Sequence, residues 1–381
     1  MKVAENFSKI SKQLPEHGEI IARMQQFHEK KLWHQLTEEI VKFIWLDNIA
    51  ARIDLVQFYN EVVLDFAPRM NQLRLCQIAS EVCYHMTDPK KKLEFYEKLS
   101  SANHITDDAE SHIFALSLYV RAQVENGLIT EAMAVLDECE TKLSDLNYAD
   151  SCVHAAYYRA KAALYQYKQD FSEFYSNGLQ YLAYAQVEMV HASDLETLAL
   201  DLAYAALVGE NIYNFGELIE SQILNYIKGG PSEWVWQTIE MFSKGDIEGW
   251  ESLKSRCSNQ LCQLFHGNYE ILNQKMATLA VIELIFNRRS SDKNISFSDI
   301  MNVSRIGAEE VELLLMKALS LGLIRGRINE TEQFINVTWV RPRVLLPSQI
   351  EAMKNRLDRW GETVKDALNL IENQMTPELI S

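Results

Sequence analysis

The chain has 381 residues, with 37 Lys+Arg against 53 Asp+Glu for a formal charge of −16, and a 48% hydrophobic share that is ordinary for a globular protein. A field of that sign repels polyphosphate, so nonspecific nucleic-acid binding or docking on an anionic membrane would need a local basic patch, and protein partners are favoured. No uncharged apolar run reaches the ~18 residues of a membrane span, and Cys76, Cys83, Cys139, Cys152, Cys257 and Cys262 are dispersed through apolar surroundings as in a reducing compartment, so a cytoplasmic and nuclear protein is expected.

Only 14 Gly and 7 Pro occur, and no proline lies between Pro89 and Pro231, which reads as helix after helix. From residue 19 onward apolar positions recur at three- and four-residue spacing: Ile20, Met24, Phe27; Leu36, Ile40, Phe43; Val56, Tyr59, Val63. Asp107, Asp108 and Glu110 are placed as a helix start, where carboxylates suit the dipole, and Lys90-Lys91-Lys92 after Asp88-Pro89 as a solvated face. Helix pairs then follow. Ala115 to Glu125 turns at Asn126-Gly127 into Ile129 to Leu143, and Val153 to Tyr167 breaks at Gln169-Asp170 before Phe171 to Ala185. Leu195 to Val208 breaks at Gly209-Glu210-Asn211 before Phe215 to Ile227, and Trp234 to Phe242 breaks at Lys244-Gly245-Asp246 before Ile247 to Cys257. Turns about every 35 to 42 residues fit a helix-pair solenoid of the tetratricopeptide kind, an architecture that binds proteins on an extended surface. The Ala155-Ala156-Tyr157-Tyr158 and Tyr181-Leu182-Ala183-Tyr184 runs are read as helix packing rather than an aromatic ligand cage.

After residue 270 the rhythm changes. Met276 to Phe286 is an apolar helix ending in Asn287-Arg288-Arg289, and Ile295-Ser296-Phe297 a short strand. Ser298 to Val303 and Ala308 to Leu321 are helices, the second burying Val311, Leu314, Leu315, Ala318 and Leu319 and closed by Gly322. Leu323 to Ile328 and Phe334 to Val340 alternate at period two around a polar tip, Asn329 to Gln333. That order is a winged helix. Its third helix presents Glu309, Glu310 and Glu312, with Lys317 as the lone cation, which opposes nucleic-acid readout. Arg325, Arg327, Arg341 and Arg343 are read as charged strand edges. The module is expected to serve assembly by pairing a strand edge with a neighbour's sheet, with Phe334, Asn336 and Thr338 as candidate contacts.

Beyond Pro342 and Pro347 one long helix is expected from Ser348 to Gln374. Ile350, Met353, Leu357, Trp360, Val364, Ala367 and Ile371 recur at alternating steps of three and four, a heptad seam narrower than an ordinary core face. Such a seam either folds back on its own domain or enters a bundle with other chains, and the second is favoured. The seam residues Ile350, Met353, Leu357, Trp360, Val364 and Ile371 complete the candidate interaction set.

Common catalytic signatures are missing: the sequence has no Gly-rich phosphate loop, G-x-S-x-G, H-E-x-x-H or C-x-x-C. Cys257 and Cys262 are five apart, roughly 140° around a helix, and so point away from each other as metal ligands beside His266. His28 and His34 are likewise mismatched on helical faces. No cofactor, metal or catalytic residue is expected.

A helix-pair array leading into a winged helix and a terminal helix resembles the PCI-domain proteins, scaffold subunits of the proteasome lid, the signalosome and eukaryotic translation initiation factor three. The residues carrying the resemblance are the winged-helix stretch Ile300 to Val344, above all Glu309 to Ile328, then Trp339 to Leu345 at the end of the wing, and Leu93 to Leu99 in the opening repeats. It implies a mainly α fold: a right-handed superhelical array of helix pairs, then a winged helix forming a PCI domain, then a long C-terminal helix. The expected segments are 1–110 (N-terminal repeats), 111–270 (solenoid), 271–345 (winged helix) and 346–381 (bundle helix). The resemblance further implies a noncatalytic lid subunit whose partners are other PCI-domain and MPN-domain subunits in a hetero-oligomer. The alternatives are the same role in the signalosome or the initiation factor, a nucleic-acid-binding adaptor, and an unrecognised hydrolase.

Overall fold

The computed structural model describes residues 18–45, 54–146, 148–185, 190–256, 269–287, 294–341 and 347–374. Cys257, Cys262 and His266, the Arg288-Arg289 pair, and Pro342 to Leu345 with Arg343 lie outside the described residues. The chain divides into two compact units, Met1–His191 and Ala192–Ser381.

In the first unit α1 (Gly18–Glu29) packs on α2 (Trp33–Ile44). Leu36, Ile40 and Phe43 are fully buried, each worth about 1.5–3 kcal/mol in water exclusion. A helical stretch starts at Asp54, whose carboxylate accepts from the Val56 and Gln57 N–H groups, and widens into a π-helical turn at Tyr59–Val63. Asn71 and Asp88 cap α3 (Gln72–Tyr84) and α4 (Pro89–Ser100) in the same way, with Pro89 in the first turn where no N–H is needed. Next come α5 (Ala109–Glu125) and α6 (Ile129–Asp145), joined through Gly127 at φ +79°. Asp150 and Asp170 cap α7 (Ser151–Tyr167) and α8 (Phe171–Tyr184).

The centre of this unit is α5. It buries residues on nearly every side and packs against α3, α4, α6 and α7. Its C-terminal Asn126 donates to the Ala122 and Pro89 carbonyls, tying the turn to the start of α4. One apolar cluster therefore runs from Ile21 to Leu164, and the boundary expected at residue 110 falls inside it, because α5 shares its surface with helices on both sides.

The second unit starts with α9 (Ala192–Val208). The single helix expected from Phe215 to Ile227 is instead two pieces, Gly216–Glu220 and a 3-10 turn at Ile223–Tyr226. Gln222 between them has φ +57°, and Ser221 donates back to the Leu218 carbonyl, so the helical path ends although apolar spacing continues across it. Then come α10 (Glu233–Lys244) and α11 (Ile247–Arg256), joined at Gly245 (φ +65°), where an added Cβ would lie 3.1 Å from the Ala280 backbone. The helix α12 (Tyr269–Asn287) begins before the expected Met276.

The winged helix follows as β1 (Asn294–Ser296), α13 (Phe297–Ser304), α14 (Ala308–Ser320), β2 (Ile324–Asn329) and β3 (Phe334–Val340). Phe297, expected in the strand, is the first residue of α13, because the Ser296 hydroxyl caps that helix through the Asp299 N–H. Its core joins Ala277, Val281 and Ile282 of α12 to Ile300, Leu315 and Ile335. Arg305, the α13 C-cap, pairs with Glu248 at 2.7 Å and with Glu251, both on α11. The sheet is antiparallel with order β1-β3-β2, so the last strand in sequence is the central one. A bulge lies between Arg325 and Gly326, where a side chain on Gly326 would strike the Asn336 carbonyl. The chain then forms α15 (Pro347–Gln374), 28 residues and roughly 42 Å long.

Candidate protein-interaction surfaces

The α15 seam lies open. Ile350, Met353, Leu357, Trp360, Val364 and Ile371 are 47–67% exposed, as are Leu368 and Leu370, which the heptad spacing did not select. Their large apolar surfaces share the helix with Lys354, Asp358, Arg359, Glu362 and Lys365. The stripe is therefore apolar surface open to solvent along the length of the helix.

The sheet places the other candidates differently. Phe334 and Asn336 lie in the central strand, flanked by Ser296 and Asn294 of β1 on one side and by Asn329 and Arg327 of β2 on the other. The Asn336 side chain also donates to the Asn294 side chain at 2.6 Å. Those two residues therefore do not form an open edge, a correction to the sequence expectation that follows from β3 being last in sequence and central in space. Thr338 lies beyond the reach of the short β1 and donates its hydroxyl to the Arg325 carbonyl at 3.1 Å, bracing the bulge. Among the described residues the open backbone edges are the outer sides of β1 and β2 and, where the short β1 ends, the Val337–Val340 half of β3. The exposed Arg325 guanidinium stacks 4.7 Å over the Trp339 ring, and Arg327 is exposed beside it, so the β2 edge is charged.

On α14 Glu309 and Glu310 are exposed, while Glu312 is half-buried rather than exposed as expected. Lys317 donates to Gln274 at 2.9 Å. The outer face also carries Leu313, 68% exposed, and Met316, which sequence reading missed because both fall in an unbroken apolar run, Leu313 to Met316, whose buried members are Leu314 and Leu315. Carboxylates where a DNA reader carries Arg, Lys or Asn repel phosphate, and the aliphatic groups beside them offer it no hydrogen-bond donor.

Burial pushes the Cys76, Cys83 and Cys139 thiols up to about 12 and Cys152 up to about 11, which removes the thiolate needed for nucleophilic attack at neutral pH. The His28 ring packs edge-on against Trp33 and Phe66, and His34 is exposed. Tyr157 and Tyr181 are core residues, and Tyr158 stacks on Tyr184. Lys90 and Lys91 are exposed, as expected of a solvated face, with Lys91 beside Asp88, whereas Lys92 is half-buried and pairs with Glu125 of α5. Among the described residues no helix is long and apolar enough to cross a membrane.

Comparison with known proteins divides the chain at a different place, between residues 239 and 254. Residues 20–239 match the family model described as PSD13 N-terminal repeats, and residues 254–339 match the PCI domain. The chain is 33% identical to the 26S proteasome non-ATPase regulatory subunit 13 of Dictyostelium discoideum over 100% of its own length and 99% of that protein. It is 34% identical to homolog A of the same subunit in Arabidopsis thaliana, covering 96% of each chain, and 28% identical to the 26S proteasome regulatory subunit RPN9 of Saccharomyces cerevisiae, covering 91% of this chain and 90% of the other. Similarity to eukaryotic translation initiation factor 3 subunit M of Dictyostelium discoideum is 21%, over 45% of this chain and 42% of that protein. With its repeats, its PCI domain and nearly its whole length matched, the chain belongs to the family of the 26S proteasome non-ATPase regulatory subunit 13.

Proposed function

We propose that the chain is a noncatalytic scaffold subunit of the proteasome regulatory-particle lid and thereby serves ubiquitin-dependent degradation. Its winged helix (271–345) meets neighbouring PCI-domain subunits, its terminal helix (346–381) enters a multi-subunit bundle that includes MPN-domain subunits, and it works in cytoplasm and nucleus. The observation that carries this reading is the α15 seam, whose large apolar residues remain about half exposed or more. Family membership supports the choice of complex, since the full-length relatives carry proteasome names while the initiation-factor likeness spans less than half of the chain.

The test is affinity purification of the tagged chain from lysate beside a version lacking residues 348–381, with mass spectrometry of the co-purifying proteins. Stoichiometric lid and ATPase-ring subunits that fall away with the truncation are expected. Recovery of signalosome or initiation-factor subunits instead would move the assignment to another complex, and recovery of nucleic acid with the lone chain would overturn it.

A further inference from the structure

One lysine of the second unit is buried and joins two of its elements. Lys275, on α12, is 3% exposed, and its ammonium donates to three backbone carbonyls at the end of α9: Ala206 at 2.6 Å, Leu207 at 3.2 Å and Gly209 at 2.8 Å. The faces of Tyr213 and Phe215 each lie 5.4 Å from the nitrogen. Its hydrogen-bond partners among the described residues are carbonyls, and burial pushes the ammonium down to about 7. The final carbonyls of a helix have no intrahelical donor and carry the negative end of its dipole, which is the site a cation fits best.

The position matters because α12 serves two neighbourhoods. Its Ala277, Val281 and Ile282 belong to the winged-helix core, and Tyr213, carried by the break after α9, packs against that same core. The carbonyl of Gly209 is part of the device: a Cβ there would lie 2.6 Å from Ile212 and 2.8 Å from the Ala205 carbonyl, so a side chain would displace the acceptor.

We propose that Lys275 is a pin joining the end of α9, the 209–215 break and the winged helix into one cooperative unit. With the pin in place the break cannot open without lifting Tyr213 from the winged-helix core. On the function proposed above, the winged helix that meets neighbouring subunits is thereby continuous with the end of α9. An ammonium suits the task because its three N–H groups diverge from one atom towards three acceptors, whereas a guanidinium spreads its donors in a plane.

Hydrogen exchange on the full chain at pH 6, below the value of about 7 at which burial releases the third proton, tests the pin. In the unaltered protein, amides of 209–215 and of β3 are expected to share one opening. In Lys275→Met the break is expected to exchange roughly ten- to hundredfold faster than β3, the scale of lost charge-assisted hydrogen bonds. Lys275→Arg is expected to behave like the methionine variant, and Gly209→Ala to loosen the same segment more weakly. An unchanged break in Lys275→Met, or an equal acceleration of break and β3, would overturn the proposal, the second because it reports only general loss of stability. Full rescue by arginine would overturn the geometry argued for the ammonium. Should Lys275→Met fail to fold, acetylation of the unaltered chain followed by mass spectrometry decides: Lys275 is expected to be modified far more slowly than exposed Lys354, and equal rates would refute the pin.

Discussion

Replacing Leu357 and Trp360 together by glutamate separates the two fates open to α15. Leu357 is 63% and Trp360 67% exposed, so about two-thirds of the ~1.5–3 kcal/mol that full burial of such a side chain yields is available only in a bundle. The pair therefore withholds roughly 2–4 kcal/mol of association energy, and burying two carboxylates among apolar side chains adds several more. A loss of about 4 kcal/mol or greater weakens assembly by roughly a thousandfold. In the isolated chain the same substitutions touch exposed positions, and glutamate is about as good a helix former as leucine, so stability should stay within about 0.5 kcal/mol. Circular dichroism with thermal unfolding on the isolated chain, beside native gels of reconstituted lid, reads both quantities. Unaltered helicity and Tm with failed incorporation are expected. A lower Tm or lost helicity in the isolated chain would assign the seam to the protein's own core and refute the reasoning.

Gly326→Ala should destabilise the winged helix by about 1–3 kcal/mol, because the new methyl group strikes the Asn336 carbonyl at the bulge; chemical denaturation of the full chain checks it. The His112 ring is held below its ordinary pKa by burial first and then by Lys142, whose Nζ lies 3.3 Å from Nδ1. A lowered folded value means that the unfolded chain binds the extra proton more readily, so this group's contribution to stability is present above about 6.5, the unfolded pKa, and declines as pH falls through the folded value. NMR titration should show a His112 midpoint below 6.5 that moves up in Lys142→Met. Iodoacetamide at pH 8 should leave Cys76, Cys83 and Cys139 unmodified in the native chain and alkylate them in denaturant; rapid native labelling would show that the thiols are not buried as described. Arg305→Ala removes ion pairs to the exposed Glu248 and Glu251 and should cost about 1 kcal/mol or less, falling further with added salt.

Local signals with one physical cause were the legible ones. Asn126-Gly127 announced the α5–α6 turn, Gly245 the α10–α11 turn, and period-two alternation gave β3 to the residue, because glycine at positive φ and a half-buried sheet each leave a pattern that depends on neighbours in sequence. Along α15 the apolar positions chosen by spacing are exposed together with Leu368 and Leu370, which that spacing left out. What escaped depends on contacts distant in sequence. A polar break at Ser221-Gln222 has no glycine to mark it, so apolar spacing carried the expected helix past it. Strand order is set by which segments close the core, so nothing local said that Phe334 and Asn336 would be covered on both sides. Lys275 precedes the helix expected from Met276, so no local pattern assigned it a face, and its burial depends on the arrival of α9. Leu313 and Met316 show the reverse case, apolar residues that the helical spacing left off the buried side and to which it gave no role.

The central position of β3 also sets an order of events. Neither β1 nor β2 has a partner until β3 has been synthesised, and the Asn294 and Asn336 side chains that meet across the first pairing are 42 positions apart. A nascent chain that has reached residue 330 therefore holds two short strands with no ladder between them, while Ile295 and Ile324, which the finished core buries, still lack the strand that covers them. Closure of such a sheet is slow compared with helix formation, because its loop must be collected before any pairing compensates for the lost freedom. During synthesis the repeats of the first unit, complete in sequence by His191, can be folded and waiting while the winged helix is still open.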